Sequence, residues 1–137
     1  MANCPKLIVV SNSIDACDEV SKQRYRFIRD GIDALVEIIG LEGRTEGTME
    51  EFFRSRKLNL AQSGGDNIEL EVLLGGRSIH KETSCIHLKK GDATNPQNCP
   101  RIYYQAVELT VGYYVFLLYV GPHREGDFEK THHLDST

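Results

Sequence analysis

The run of apolar residues at positions 113–120 constrains the fold of this chain more than any other feature. It contains eight consecutive apolar or aromatic residues, and in a β-strand successive side chains point to opposite faces. Burial of each such side chain stabilises a fold by roughly 1.5–3 kcal/mol, so both faces of this strand need cover. One face would carry Tyr113, Val115, Leu117 and Tyr119, and the other Tyr114, Phe116, Leu118 and Val120.

The composition indicates an ordinary globular protein. The chain has 137 residues, of which 40% are hydrophobic and 26% charged, as in typical folded domains. The longest apolar runs are far shorter than the ~20 residues of a membrane-spanning helix, and the N-terminal run is too short for a secretory signal. A formal net charge of −4 disfavours general nucleic-acid binding. We expect a cytoplasmic or nuclear protein with no membrane contact.

The first half of the chain predicts one strand and two helices. Residues 6–10 form a short aliphatic run typical of a strand. Over residues 14–39, apolar side chains recur at three- and four-residue steps, which predicts a long helix. Thr48 and Glu51 have the spacing of a capping box, and therefore predict a short second helix that carries Phe52 and Phe53.

The second half predicts antiparallel strands. From Ile68 the apolar period changes to two, and Gly75-Gly76 predicts a tight hairpin with a return strand from Arg77. Residues 101–111 and 113–121 predict two further strands separated by Gly112. Residues 91–100 predict a loop. The polar residues 122–137 predict a flexible tail that follows a single domain over residues 1–121.

Because helices and strands are segregated along the chain, the predicted fold class is α+β. We expect an N-terminal strand, one long and one short helix packed on a curved antiparallel sheet of four or five strands. This outline resembles cystatin-like folds and the cone-shaped nuclear-transport-factor-like folds. The resemblance is one of architecture and implies no activity.

Basic residues on the long helix have two interpretations, a nucleic-acid surface or a solvated face of ion pairs. Lys22, Arg26 and Arg29 follow one another at helical steps, which places them on one side of the helix. However, Asp30 and Asp33 come four residues after Arg26 and Arg29, a spacing typical of ion pairs within a helix. We therefore favour a solvated, salt-bridged face and regard nucleic-acid binding as the weaker reading.

No motif for metal binding or catalysis stands out. Cys85 and His87 share a strand face and His80 lies nearby in sequence, but these three have no zinc-site spacing. Glu69 and Glu71 are most simply an ordinary solvent face. The sequence has neither a nucleophile elbow nor a phosphate-binding loop. We therefore assign no catalytic residue, metal ligand or cofactor, and favour a noncatalytic role.

The apolar run leaves three functional hypotheses. The first is a protein-protein interaction module, an adaptor or homodimer, that presents a hydrophobic sheet face or strand edge to a partner. The second is a small-ligand-binding or enzymatic cone with an aromatic-lined pocket, and the third is an RNA-binding regulatory protein that uses the basic stripe. A simpler alternative places the run in the core of one chain. The predicted partner contacts are Tyr103, Tyr104, Tyr113, Val115, Leu117 and Tyr119.

Overall fold

A computed structural model describes residues 5–20, 22–89, 100–122 and 126–134. Within these residues the chain forms two α-helices and eight β-strands, which confirms the α+β class. Nine of the ten residues of the predicted 91–100 loop lie outside the described residues. In chain order the elements are β1 Leu7–Val9, α1 Tyr25–Leu41, α2 Met49–Arg54, β2 Asn59–Ala61, β3 Ile68–Leu74, β4 Arg77–Ser84, β5 His87–Lys89, β6 Arg101–Leu109, β7 Gly112–Gly121 and β8 Phe128–Leu134.

Both predicted helices are present, although the long one begins later than the sequence indicates. The chain first makes two short 3-10 turns, Cys17–Glu19 and Lys22–Arg24, before α1 starts. The capping box of α2 is confirmed: the Glu51 amide donates to Thr48 Oγ1 at 3.1 Å, and the Thr48 amide donates to Glu51 Oε1 at 2.8 Å. This reciprocal pair satisfies amides that a helix N-terminus leaves without partners.

The strands form two sheets rather than the single sheet that the sequence predicts. The larger sheet has the order β1-β7-β6-β5-β2, with β1 parallel to β7, and the smaller has the order β4-β3-β8. The β3–β4 hairpin turns at Gly75 and Gly76, as predicted, and both have positive φ (59° and 79°), which is the requirement of a tight type I′ turn.

The predicted C-terminal tail contains a strand. Residues 128–134 form β8, which pairs in parallel with β3 from Ile68↔Phe128 to Leu74↔Leu134. The expectation of a flexible segment there is wrong, because Phe128 and Leu134 pack against the core while alternate positions point outward and make the segment polar overall. Residues 123–125 and 135–137 lie outside the described residues.

The two faces of the five-stranded sheet are covered by different layers. The helix-side core lies between this sheet and the helices, and the sheet-side core lies between it and the three-stranded sheet. Members of the helix-side core include Leu35, Ile38, Phe53, Leu88, Ile102, Val115 and Leu117. Members of the sheet-side core include Ile68, Leu70, Val72, Tyr103, Phe116 and Leu118.

A β-bulge alters the expected alternation of the apolar run. Tyr103 is opposite Tyr119 while its neighbour Tyr104 is opposite Leu117, so Leu118 is the extra residue on β7. Leu118 and Tyr119 therefore both contact the sheet-side core. The assignment of Tyr119 to the same face as Leu117 is corrected for this reason.

The packing of the three-stranded sheet on the five-stranded sheet predicts unequal effects of truncation on the two faces of β3. Leu70 is fully buried in the sheet-side core, so Leu70→Ala is expected to lower the free energy of unfolding by about 2–5 kcal/mol, measured by urea denaturation. Glu71→Ala, on the opposite face of the strand, is the control and should cost less than about 1 kcal/mol. Equal, small effects would mean that the three-stranded sheet does not cover the larger one.

Candidate functional site

Five of the six predicted partner contacts lie inside the chain, and the sixth, Tyr119, is half-buried. Tyr103, Val115 and Leu117 are 1%, 0% and 2% exposed, and Tyr104 and Tyr113 are also buried. The inference that both faces of the run need cover is correct, but this chain supplies the cover on both sides. The hydrophobic sheet face is therefore not available to a partner in this structure, and the strand edges of the sheet have to be considered instead.

Strand β6 is paired on both sides over only part of its length. β5 pairs with residues 101–103, whereas residues 104–109 pair with β7 alone within the described part of the chain. The chain leaves the sheet just before β5, where the Ile86 amide donates to Ser84 Oγ at 3.1 Å instead of to β6. Six residues of β6 thus have an open edge.

The hydrogen bonds of β7 show which way the backbone groups of this ladder point. The Val115 amide donates to the Lys6 carbonyl at 3.0 Å, and the Leu117 carbonyl accepts from the Val10 amide at 3.2 Å. Val115 and Leu117 therefore direct their backbone groups toward β1 and away from β6. In an antiparallel pair such residues form the non-hydrogen-bonded positions.

Three residues of β6 consequently direct their amides and carbonyls away from β7. The register of β5 places the first of them, Tyr104, opposite Ile86, so Ala106 and Glu108 are the two whose groups point to the open edge. Tyr104 and Ala106 stand opposite Leu117 and Val115, at non-hydrogen-bonded positions, so their own backbone groups point away from β7. Glu108 follows by the same alternation. No described residue pairs with this stretch on its open side.

A cleft of about 350 Å³ lies along this edge. Its lining is largely apolar and includes Ile86, whose 37% exposure is high for a large aliphatic residue. We call it the β6 cleft. It is lined by Met49, Leu60, Gln62, Glu82, Ser84, Ile86, Tyr104, Gln105, Ala106 and Tyr113.

Gln105 connects the two sheets beside the β6 cleft. Its Nε2 donates to the Glu82 carbonyl at 3.0 Å, and its Oε1 lies 2.8 Å from His80 Nε2. The side chain is 4% exposed, so both hydrogen bonds satisfy buried polar groups. Sequence reasoning did not single out Gln105, although a lone amide within an apolar strand is a usable signal for such a contact.

The two tyrosines of the β6 cleft serve as hydrogen-bonding groups rather than as bases. Burial raises the pKa of Tyr104 and of Tyr113, and the charge of Glu108 raises the pKa of Tyr113 further. Both hydroxyls therefore remain protonated at neutral pH. The two hydroxyls can offer hydrogen bonds to a polar chain, and their raised pKa makes them poor bases.

The other long edges are more polar than β6. On β8, the Phe128 amide donates to the Asn67 carbonyl at 3.2 Å, so Glu129, Thr131 and His133 direct their backbone groups outward. Exposed charged residues such as Glu129, and Lys81 on β4, discourage edge-to-edge pairing. The β6 edge, by contrast, lies beside apolar side chains.

The candidate metal ligands are engaged separately. Cys85 Sγ donates to the Gln62 carbonyl at 3.3 Å, His87 Nδ1 lies 2.8 Å from the Cys85 carbonyl oxygen, and His80 contacts Gln105. Among the described residues, no three His, Cys, Asp or Glu side chains are grouped as metal ligands would be.

His87 belongs to a buried polar cluster. Its ring packs against Tyr103 with centroids 4.7 Å apart. The Tyr103 hydroxyl accepts hydrogen bonds from the Asp66 amide and from Arg101, each at 3.1 Å. A Cβ on Gly65 would lie 2.7 Å from the His87 ring, so only glycine lets the loop close over it. The cluster fixes this loop against β5 and β6.

Of the predicted basic stripe, Arg26 and Arg29 lie at the start of α1, whereas Lys22 lies in the 3-10 turn that precedes the helix. Lys22, Arg26 and Arg29 are all exposed, and Arg26 Nε is 3.9 Å from Asp30 Oδ2. Arg26 also borders a groove in which three carboxylates, of Asp30, Asp33 and Glu37, face three cations, Arg26 itself with Arg56 and Lys57. These carboxylates weaken the positive field there, and nucleic-acid binding by the stripe stays a prediction.

Comparisons with protein families, with curated proteins and with solved structures find no match for this chain. No helix in the described part of the chain is both long and apolar enough to cross a membrane. The function is therefore inferred from the geometry of the β6 cleft.

The open edge predicts a difference in hydrogen exchange between neighbouring residues. The amides of Ala106 and Glu108 are expected to exchange on the order of tenfold or more faster than those of Gln105 and Val107, because only the latter pair with β7. Residue-resolved exchange by NMR measures this difference. Equal protection of Ala106 and Val107 would show that another segment already occupies the edge.

His87 predicts a loss of stability in mild acid. Burial lowers the pKa of His87 below its usual 6.5; the hydrogen bond to the Cys85 carbonyl opposes this shift, and the nearby charges of Arg101 and Lys89 add to it. The unfolded chain therefore takes up a proton first as the pH falls. Stability is expected to be complete above about pH 6.5 and to decrease below it.

Urea denaturation at about pH 7.5 and about pH 5 measures this effect. His87→Phe keeps a ring against Tyr103 but cannot titrate, so its stability should depend less on pH, whatever its absolute value. His133→Gln, at an exposed position, should retain the full dependence. The same loss in His87→Phe as in the wild type would exclude His87 as the origin.

Proposed function

We propose that this chain is a noncatalytic protein-interaction module that binds an extended segment of a partner protein along the open edge of β6. The observation that carries the proposal is the outward direction of the backbone groups of Ala106 and Glu108 beside an apolar cleft. An added strand gains affinity from main-chain hydrogen bonds and specificity from side-chain pockets.

The dimensions of the edge suit a short strand. Residues 104–109 span roughly 20 Å at the usual rise of a strand. The added segment would continue the position that β5 occupies beside residues 101–103, and it would end near Ile86. Alternate side chains of the segment would contact Met49 and Leu60 in the β6 cleft.

A single extended segment fits this site better than the sheet face of a second folded copy. The β6 cleft is lined by residues from α2 and β2, from β4 and the connection after it, and from β6 and β7, so its edge lies between neighbouring elements. The homodimer that the sequence suggests is retained as an outcome of the test, in which a second copy would supply the segment.

The aromatic-pocket alternative would use the same cleft. Its volume of about 350 Å³ is at the low end for small-ligand pockets, which measure roughly 300–1,000 Å³. Tyr104 and Tyr113 are only 6% and 8% exposed, so they offer little ring surface to a ligand. The unpaired backbone groups therefore favour a polypeptide occupant.

Substitution of Ala106 by proline tests the proposal. Ala106→Pro removes one outward amide, and an edge position tolerates proline because this amide does not bond to β7. Peptides of about ten residues, selected from a random display library on the wild-type protein, are expected to bind the variant at least about fivefold more weakly. Fluorescence anisotropy measures the affinities.

Thr131→Pro provides the matched control, because it places the same substitution at an outward amide of the polar β8 edge. It should leave peptide affinity unchanged, and circular dichroism checks that both variants fold. Sedimentation of the wild type shows whether a second copy is the partner: a dimer that Ala106→Pro dissociates supports self-association through β6. Peptides that bind Ala106→Pro as tightly as the wild type would refute the proposal.

A further inference from the structure

One carboxylate lines the β6 cleft and a second lies just beyond its lining, and neither has a counter-charge among the described residues. Glu82 belongs to its lining, and Glu108 lies on β6 two residues beyond Ala106, opposite Tyr113. Neither side chain forms an ion pair with any residue in the described part of the chain. Glu108 is exposed and stands opposite Tyr113, which lines the cleft, so its charge lies at this end of the cleft.

We infer that the segment bound along β6 is apolar at the positions that face the cleft and carries a lysine or arginine that pairs with Glu82 or Glu108. This inference rests on the proposed function and specifies the chemistry of the partner. It commits to one occupant, a basic and apolar extended peptide, because the charge of the site and its apolar lining both require complements.

The apolar part of the segment follows from the lining. Met49, Leu60 and Ile86 border the β6 cleft, and a strand laid beside β6 would direct every second side chain toward one of its faces. Apolar side chains at those positions would pack on this part of the lining and remove the exposed Ile86 side chain from water, which favours binding.

The basic part follows from where the charges stand. The Glu82 carbonyl accepts a hydrogen bond from Gln105. Glu108 lies three residues beyond Gln105 on β6, roughly 10 Å along the strand. Lysine or arginine side chains are long enough to lay their aliphatic stems on apolar surface while the charged group reaches a carboxylate. An acidic segment would meet like charge at both ends, which opposes binding.

The same peptide selection tests the inference with three charge-neutralising variants. Glu82→Gln and Glu108→Gln remove the two site charges, and Glu129→Gln removes an exposed carboxylate on β8 as the matched control. The selected pool is expected to be enriched in Lys and Arg. Its peptides should bind Glu82→Gln or Glu108→Gln about two- to fivefold more weakly than the wild type, and Glu129→Gln unchanged.

The possible results separate this inference from the proposed function. Peptides that Ala106→Pro rejects, but that show no basic enrichment and bind both glutamine variants normally, would overturn the charge assignment and leave strand addition standing. Peptides that are insensitive to Ala106→Pro would overturn strand addition itself. Replacing the basic residue of a selected peptide with glutamine should abolish the difference between wild type and the sensitive variant.

Discussion

The burial of β7 on both faces is the constraint on which the rest of the structure depends. Val115 and Leu117 lie under α1, and Phe116 and Leu118 lie against the three-stranded sheet. A single layer on one side would leave several large side chains in water, at a cost comparable to the net stability of a domain. The chain meets this demand with three layers: the helices, the five-stranded sheet and the three-stranded sheet. β8 is one of the strands of the third layer.

The open edge of β6 is a consequence of this layering. β4 belongs to the three-stranded sheet and β5 to the five-stranded one, so the chain crosses between the two sheets at Cys85 and Ile86. Because of the crossing, β5 begins only at His87, and the rest of β6 has no neighbouring strand on that side within the described residues. On the face of β6 toward the three-stranded sheet, Gln105 links β6 to β4 through its contacts with His80 and Glu82.

Local features of this fold could be predicted from the sequence, whereas the pairings between distant segments could not. The capping box of Thr48 and Glu51 and the turn at Gly75-Gly76 depend on neighbouring residues only, and both are confirmed. The partnership of β8 with β3 joins residues 60 positions apart, and the bulge at Leu118 depends on how β6 pairs. For the same reason, a sequence shows that β7 needs cover but not which segment provides it, and a prediction from sequence therefore places the buried tyrosines at a partner interface.

The position of the open edge explains why a strand edge remains accessible although the apolar sheet faces are covered. Both apolar faces of the five-stranded sheet are covered by the chain's own residues, one by the helices and the other by the three-stranded sheet. A strand edge needs another strand in register, and the crossing at Ile86 removes the only nearby candidate among the described residues. β4 and β8 carry exposed charges that oppose pairing. The open stretch of β6 also carries one exposed charge, Glu108, but the small side chain of Ala106 lies at its middle, so an extended chain meets little obstruction there.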